Sequence, residues 1–193
     1  MGLIDGFPIN IDASGEASVT MYDLDGDSDG RLEIIIATAK AQILVYKYNA
    51  GNSAYEMMDG FPVDVPPYTD YSYDTTLSAP AVGDLFKTGV PSIVVATGSG
   101  AVVALHRNGN LHQDATGNPA PLLDGFPVWA NEPDNSSTQT FAHGRSFGSS
   151  PVLADMDRDG MLEIVAASYD GNVYAWKPVD KDHNGFADRL PGF

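Results

Sequence analysis

Cysteine is absent from this chain, so no disulfide framework holds it together and the redox compartment is left open. Basic residues are scarce: 10 Lys and Arg stand against 26 Asp and Glu, a net charge of −16. Nucleic-acid binding needs clustered Lys and Arg, so the charge argues against that partner. No apolar run approaches the roughly 20 residues of a membrane-spanning helix, and no membrane span is expected. The start, Met1-Gly2-Leu3, lacks the charged-then-apolar pattern of a signal segment. The expectation is a mature or trimmed chain, or export information lying outside it. No window of ten or more residues shows helical apolar spacing, and 20 Gly with 13 Pro interrupt the chain too often for helices. What remains is an all-β chain of 193 residues, long enough to bury a substantial core in one domain. Much of its acid sits in Asp-rich loops, which points to cations as partners.

What the chain does have is one unit written three times: an acidic loop, an apolar run and Gly-Phe-Pro. The unit openings Asp23, Asp84 and Asp155 lie 61 and then 71 residues apart. Asp-Gly-Phe-Pro begins at Asp5, Asp59 and Asp124, and Leu190-Pro191-Gly192-Phe193 closes the third unit. Repetition at such a period means stacked copies of one supersecondary element. Residues 34–38, 93–97 and 164–168 are apolar runs expected to be strands buried on both faces. Each precedes a tight turn and an alternating run: 43–46, 102–105 and 173–176. Asp170-Gly171-Asn172 reads as a two-residue hairpin turn. One strand before and one after, the latter at Phe-Pro-Val, make four antiparallel strands per unit. That pattern suits a β-propeller blade, each apolar face covered by the next blade.

The elements Ser150-Pro151-Val152-Leu153-Ala154-Asp155, Asp155-x-Asp157-x-Asp159-Gly160-x-x-Glu163, Ile164-Val165-x-Ala167, Val173-Tyr174-Ala175-Trp176 and Gly125-Phe126-Pro127-Val128 resemble FG-GAP/VCBS-type repeats. Such repeats build the propeller of integrin α chains and occur in many secreted bacterial proteins. Phe147-Gly148 stands where that family places its Phe-Gly. The resemblance covers nearly the whole chain and implies about three blades: residues 1–17 as the tail strand of a preceding blade, then 18–63, 64–128 and 129–193. Three blades cannot close a disc, since closed propellers carry about four to eight. The expectation is therefore either part of a larger propeller or self-association, two copies giving six blades with Phe7-Pro8-Ile9 completing the neighbour's last one.

The acidic loops carry the candidate chemistry. Asp155, Asp157, Asp159 and Glu163 place side-chain oxygens at positions 1, 3, 5 and 9, with Gly160 permitting the sharp turn. Ca²⁺ takes six to eight hard oxygen ligands, and this spacing, taken with the resemblance, favours it over a merely solvated acidic turn. The 23–33 loop is two residues longer and leaves two registers open. Counting back from Glu33 gives Asp25, Asp27 and Asp29; counting forward gives Asp23, Asp25 and Asp27. Crowding these carboxylates without a cation is expected to raise some of their pKa values. The 84–92 loop has lost the later acids and gained Lys87, and is expected to bind no metal. A fourth loop, Asp180, Asp182, Asn184 and Asp188, repeats the oxygen spacing but lies between the third and fourth strands of its unit, so a polar hairpin insertion is the alternative. Alternating strand direction places all three metal loops on one rim.

The opposite face is expected to carry two long insertions. Tyr68, Tyr71, Tyr73, Trp129, His143 and Arg145 are the candidate contacts there to a glycan or protein ligand, the alternative being aromatics that only pin the loops to the scaffold. His106 and His112 show no metal or catalytic partner spacing, and Ser149-Ser150 lacks a nucleophile elbow. The leading expectation is a non-catalytic, calcium-stabilised binding or adhesion scaffold, extracellular or at the cell surface, where millimolar calcium fills such sites. The alternatives are a calcium-dependent polysaccharide lyase, which the resemblance also accommodates, and a purely structural segment of a surface protein.

Overall fold

The computed structural model describes residues 6–15, 17–27, 29–65, 77–130 and 147–193. Tyr68, Tyr71, Tyr73, His143 and Arg145 lie outside them. The described chain is all-β apart from a 3-10 turn at Gly109–Leu111, and it forms three antiparallel sheets, none closed on itself. The first holds β1 (Thr20–Tyr22), β2 (Glu33–Ala37), β3 (Gln42–Asn49), β4 (Ala54–Met57) and β5 (Val63–Asp64). The second holds β6 (Ala81–Gly83), β7 (Ser92–Ala96), β8 (Ala101–His106) and β9 (Val128–Trp129). The third holds β10 (Val152–Ala154), β11 (Glu163–Ala167) and β12 (Val173–Trp176).

The expected fourth strand is present but broken in the middle. In the first sheet β4 pairs one end of β3 (Tyr46↔Met57) and β5 the other (Ile43↔Val63). In the second, a bridge Leu105↔Leu122 precedes β9, which pairs through Val102↔Val128. In the third, the bridge Trp176↔Arg189 and a Leu190 N–H to Ala175 C=O bond of 2.9 Å occupy the same place. The break is the Asp-Gly-Phe-Pro turn. Phe61 N–H returns to Met58 C=O at 3.1 Å, Phe126 to Leu123 at 3.2 Å and Phe193 to Leu190 at 3.3 Å. The third residue of each turn has positive φ, +90° at Gly60, +83° at Gly125 and +93° at Gly192, which is why glycine stands there.

The Gly-Phe-Pro element also joins one unit to the next. Gly60 C=O accepts from Asn110 N–H at 3.0 Å, and Gly125 C=O from Ala187 N–H at 2.9 Å. A Cβ on Gly60 would lie 2.2 Å from Asn108 O, so no side chain fits at this junction.

The second sheet lies between the other two. Ile35, Ala37, Ile43 and Val45 of the first sheet pack with Ile93, Val95, Val103 and Leu105 of the second. Val94, Ala96, Val102 and Ala104, from its other face, pack with Ile164, Ala166, Tyr174 and Trp176 of the third. Residues 43–46 and 102–105 were expected to alternate, yet they are buried on both faces because a sheet or segment covers each side. The hairpin turns differ as well. Gly171 N–H bonds Ser168 C=O at 3.1 Å and Ser168 N–H bonds Asn172 C=O at 2.9 Å, a type I turn followed by a residue with positive φ rather than a two-residue turn.

Candidate metal centres

Glu163 opens β11 on the face opposite Ile164 and Ala166, which point into the core shared with the second sheet. Its side chain is 0% exposed. One carboxylate oxygen accepts from Met156 N–H at 2.7 Å; the other, Oε1, is buried without a hydrogen-bond partner. The loop that β11 closes is shaped by its own acids. Asp155 Oδ2 accepts from Gly160 N–H at 3.0 Å, Asp157 Oδ1 from Asp159 N–H at 3.2 Å, and Asp159 Oδ1 from Met161 N–H at 2.9 Å. The bend leaves ligand oxygens of Asp155, Asp157 and Glu163 within 4.8 Å of one another. A set of hard oxygens at that spacing can hold a metal ion.

The 23–33 loop converges in the same way through Asp23, Asp25 and Glu33. Leu24 N–H donates to Glu33 Oε2 at 2.7 Å, the counterpart of the Met156–Glu163 bond. That equivalence favours the forward register, Asp23, Asp25 and Asp27. Asp29 turns instead to Arg31, whose N–H it accepts at 2.7 Å. The third cluster joins Asp180, Asp182 and Asp188. Its bonds match the 155–163 loop position by position: Gly185 N–H to Asp180 at 2.9 Å, Phe186 N–H to Asn184 at 2.8 Å, and Lys181 N–H to Asp188 at 3.1 Å. The 155–163 and 180–188 loops face each other across a cleft of about 520 Å³ lined by Asp157, Lys177, Asp182 and Asp188.

Two lysines not singled out from the sequence complete the clusters. Lys177 is 6% exposed, and its ammonium bonds Asp157 at 2.6 Å, pairs with Asp159, and lies 3.9 Å from Glu163 Oε1. Lys47 bonds Asp25 and Asp27, the latter at 2.7 Å. The signal was available: each lysine follows its Glu by 14 residues, across the β2–β3 or β11–β12 pair. The lysines also change the expected electrostatics. Lys47 hydrogen bonding, then the Asp29 N–H, holds Asp27 below the usual carboxylate range, and Lys177 with the Met161 N–H does the same for Asp159. Both ammonium groups are pushed up by these bonds. Glu33 is raised, chiefly by burial, against the Leu24 N–H.

The second sheet has Ser92↔His106 where the others place Glu and Lys. His106 stacks on His112 with ring centroids 3.4 Å apart, and burial followed by the His112 charge pushes its pKa down. Asp84 spends both oxygens on Thr88 and Gly89 N–H groups, at 3.0 and 2.6 Å. Of the candidate ligand-contact residues, only Trp129 is described. Its ring meets Phe186 edge-on at 5.6 Å, and its carbonyl accepts from Arg189 at 3.3 Å. No helix among the described residues is long and apolar enough to cross a membrane. No family model, curated protein or solved structure matches this chain.

Proposed function

We propose that this chain is a calcium-stabilised, non-catalytic binding scaffold of FG-GAP/VCBS-like propeller units, working outside the cell or at its surface. The observation that carries the reading is Glu163 Oε1, fully buried and without a hydrogen bond, on a carboxylate that converges with those of Asp155 and Asp157. A buried carboxylate oxygen left in that state is costly unless a cation meets it. Lys177 answers part of the charge but stops 3.9 Å short of this atom. Calcium fits the donor set better than magnesium, because carboxylates delivered by a bent loop form an irregular shell that calcium tolerates. Asp23, Asp25, Asp27 and Glu33 form the second calcium site, and Asp180, Asp182, Asn184 and Asp188 the third. A glycan or protein is the ligand of the scaffold, engaged through the inserted segments that include Trp129.

Isothermal titration with calcium, alongside native mass spectrometry, tests the reading. The parent chain takes up calcium at roughly 0.1–1 mM, the range of extracellular modules, and Glu163→Gln loses one bound ion while keeping its fold. A parent chain that binds no calcium at several times that concentration overturns it. A glycan array followed by product analysis tests the ligand half, with binding and no cleavage expected.

A further inference from the structure

The two acid-rich loops of the first and third sheets hold their lysines in one arrangement. In the 155–163 loop, Asp157 Oδ1 accepts from Asp159 N–H and Asp159 Oδ1 from Met161 N–H, while the second oxygen of each carboxylate goes to the Lys177 ammonium. In the 23–33 loop, Asp25 Oδ1 accepts from Asp27 N–H at 3.1 Å and Asp27 Oδ1 from Asp29 N–H at 3.0 Å, and the second oxygen of each goes to Lys47. The third and fifth positions of both loops therefore place one oxygen on the turn and the other on a lysine. Each lysine stands across the strand pair from the ninth-position glutamate, one step beyond Ile34↔Tyr46 or Ile164↔Trp176.

A lysine is costly to bury unless it is paired, and Lys177 is buried. Its ammonium stands among oxygens that the calcium reading assigns to the metal: 2.6 Å from Asp157 Oδ2, paired with Asp159, and 3.9 Å from Glu163 Oε1. Calcium draws its oxygens to about 2.3–2.6 Å. An ion using these carboxylates competes with the ammonium for them, and two cations held that close repel. The 180–188 loop is built differently. Asp182 Oδ2 accepts from the neutral Asn184 amide at 3.1 Å, and among the described residues no lysine pairs with Asp180, Asp182 or Asp188.

We infer that Lys47 and Lys177 are tethered counter-cations that calcium displaces: each ammonium holds its acid loop together when calcium is scarce, and weakens calcium binding by occupying its oxygens. The inference rests on the calcium reading of these two loops. The Lys177 side chain lines the cleft of about 520 Å³ between the 155–163 and 180–188 loops, which gives the displaced ammonium a place to go. Lys47 is half-buried and reaches solvent directly. The two loops thus exchange one cation for another, and calcium sets where the lysines point.

Lysine labelling and calcium titration test this together. The parent chain is treated with an amine-acylating reagent with and without millimolar calcium, and each lysine is read by peptide mass spectrometry. Lys47 and Lys177 are expected to label faster with calcium, while Lys40, which donates to Asp12 C=O, keeps its rate. Lys177→Met keeps the stem and removes the charge. The calcium step that Glu163→Gln abolishes is expected to tighten about tenfold in Lys177→Met, while the calcium-free chain melts lower. Lys47→Met, at a half-buried position, is expected to do the same for the 23–33 loop, and it carries the test if Lys177→Met does not fold. A substitution that merely damages the loop weakens calcium binding, so tightening separates displacement from a structural role. Unchanged or weaker binding in a folded variant overturns the inference and leaves the calcium reading standing, and so does labelling that calcium leaves unmoved. A parent chain that takes up no calcium overturns both.

Discussion

The 155–163 and 84–92 loops share a backbone and differ in what that backbone holds. Asp155 Oδ2 accepts from Gly160 N–H, Asp84 Oδ2 accepts from Gly89 N–H, and both glycines have positive φ, +94° and +79°. Counting from the first Asp, the acid-poor loop places Phe86, Thr88 and Ser92 where the other has Asp157, Asp159 and Glu163. The strand residue across from the ninth position changes with them, from Lys177 to His106. The first aspartate and the glycine hold the turn in both loops, whereas the third, fifth and ninth acids of the 155–163 loop add further bonds to loop N–H groups and, with the strand lysine, the charge. The 84–92 loop keeps its turn without the later acids because Asp84 alone accepts from both Thr88 and Gly89 N–H groups.

Removing calcium breaks the comparison most strongly. At about ten times the dissociation constant each filled site adds about 1.4 kcal/mol, three sites about 4 kcal/mol, and each kcal/mol moves the melting temperature of a chain this size by roughly 2–4 °C. Chelation is therefore expected to lower the melting temperature by about 10 °C or more, read by scanning calorimetry. Glu163→Gln shrinks that shift. Asp84→Asn lowers the melting temperature with and without calcium but leaves the shift unchanged. An identical melting curve after chelation contradicts the assignment of metal to the acid-rich loops.

Grafting sharpens the comparison from the other side. Phe86→Asp, Thr88→Asp and Ser92→Glu together put the missing oxygens on the backbone that the second sheet already supplies. Phe86 packs partly against the core shared with the third sheet, so losing it costs about 1–2 kcal/mol. The folded variant is expected to carry one more calcium than the parent by native mass spectrometry. An unchanged count in a folded variant means the shared backbone is not sufficient.

Much of this was legible in the sequence because it is local. The β2, β7 and β11 strands start one residue before the apolar runs expected from the repeat, and the acidic spacing located three clusters that do converge. Lys47 and Lys177 were harder to see because a lysine beside an aromatic reads as an exposed strand end. Only the pairing of Ile34 with Tyr46 and Ile164 with Trp176 carries each one onto its acid loop. The forward register of the 23–33 loop became favoured for the same kind of reason, through a bond from Leu24 N–H to a glutamate nine residues away. Two-sided burial of residues 43–46 depends on neighbouring segments, which periodicity within one strand does not encode.

A pH test separates the histidine of the second sheet from the lysines of the others. Burial and the neighbouring His112 hold His106 below the ordinary imidazole value, against a weaker upward pull from Asp124. The unfolded chain takes up a proton near pH 6.5 that the folded chain refuses at that pH. Stability from this group is therefore full above about pH 6.5 and falls as the pH drops toward 5. His106→Phe, which keeps a ring on His112, is expected to flatten that part of the pH–melting profile in calcium-free buffer. A slope that survives unchanged assigns it to the carboxylates instead.

The smallest effect concerns the hairpin turns, which the three sheets share. In each, a type I turn is followed by a residue with positive φ: Ala41 at +56°, Gly100 at +91° and Gly171 at +88°. A residue with a Cβ pays about 1–2 kcal/mol in that region, and glycine gives back roughly half through its greater freedom when unfolded. Ala41→Gly is therefore expected to raise stability by about 0.5 kcal/mol, or one to two degrees. Gly171→Ala is expected to lower it by about as much or a little more. A Cβ at Gly171 meets nothing within 4 Å, so that change reads backbone conformation alone. If Gly171→Ala melts with the parent, the alanine in the first sheet is unstrained, and the three turns differ in sequence without differing in energy.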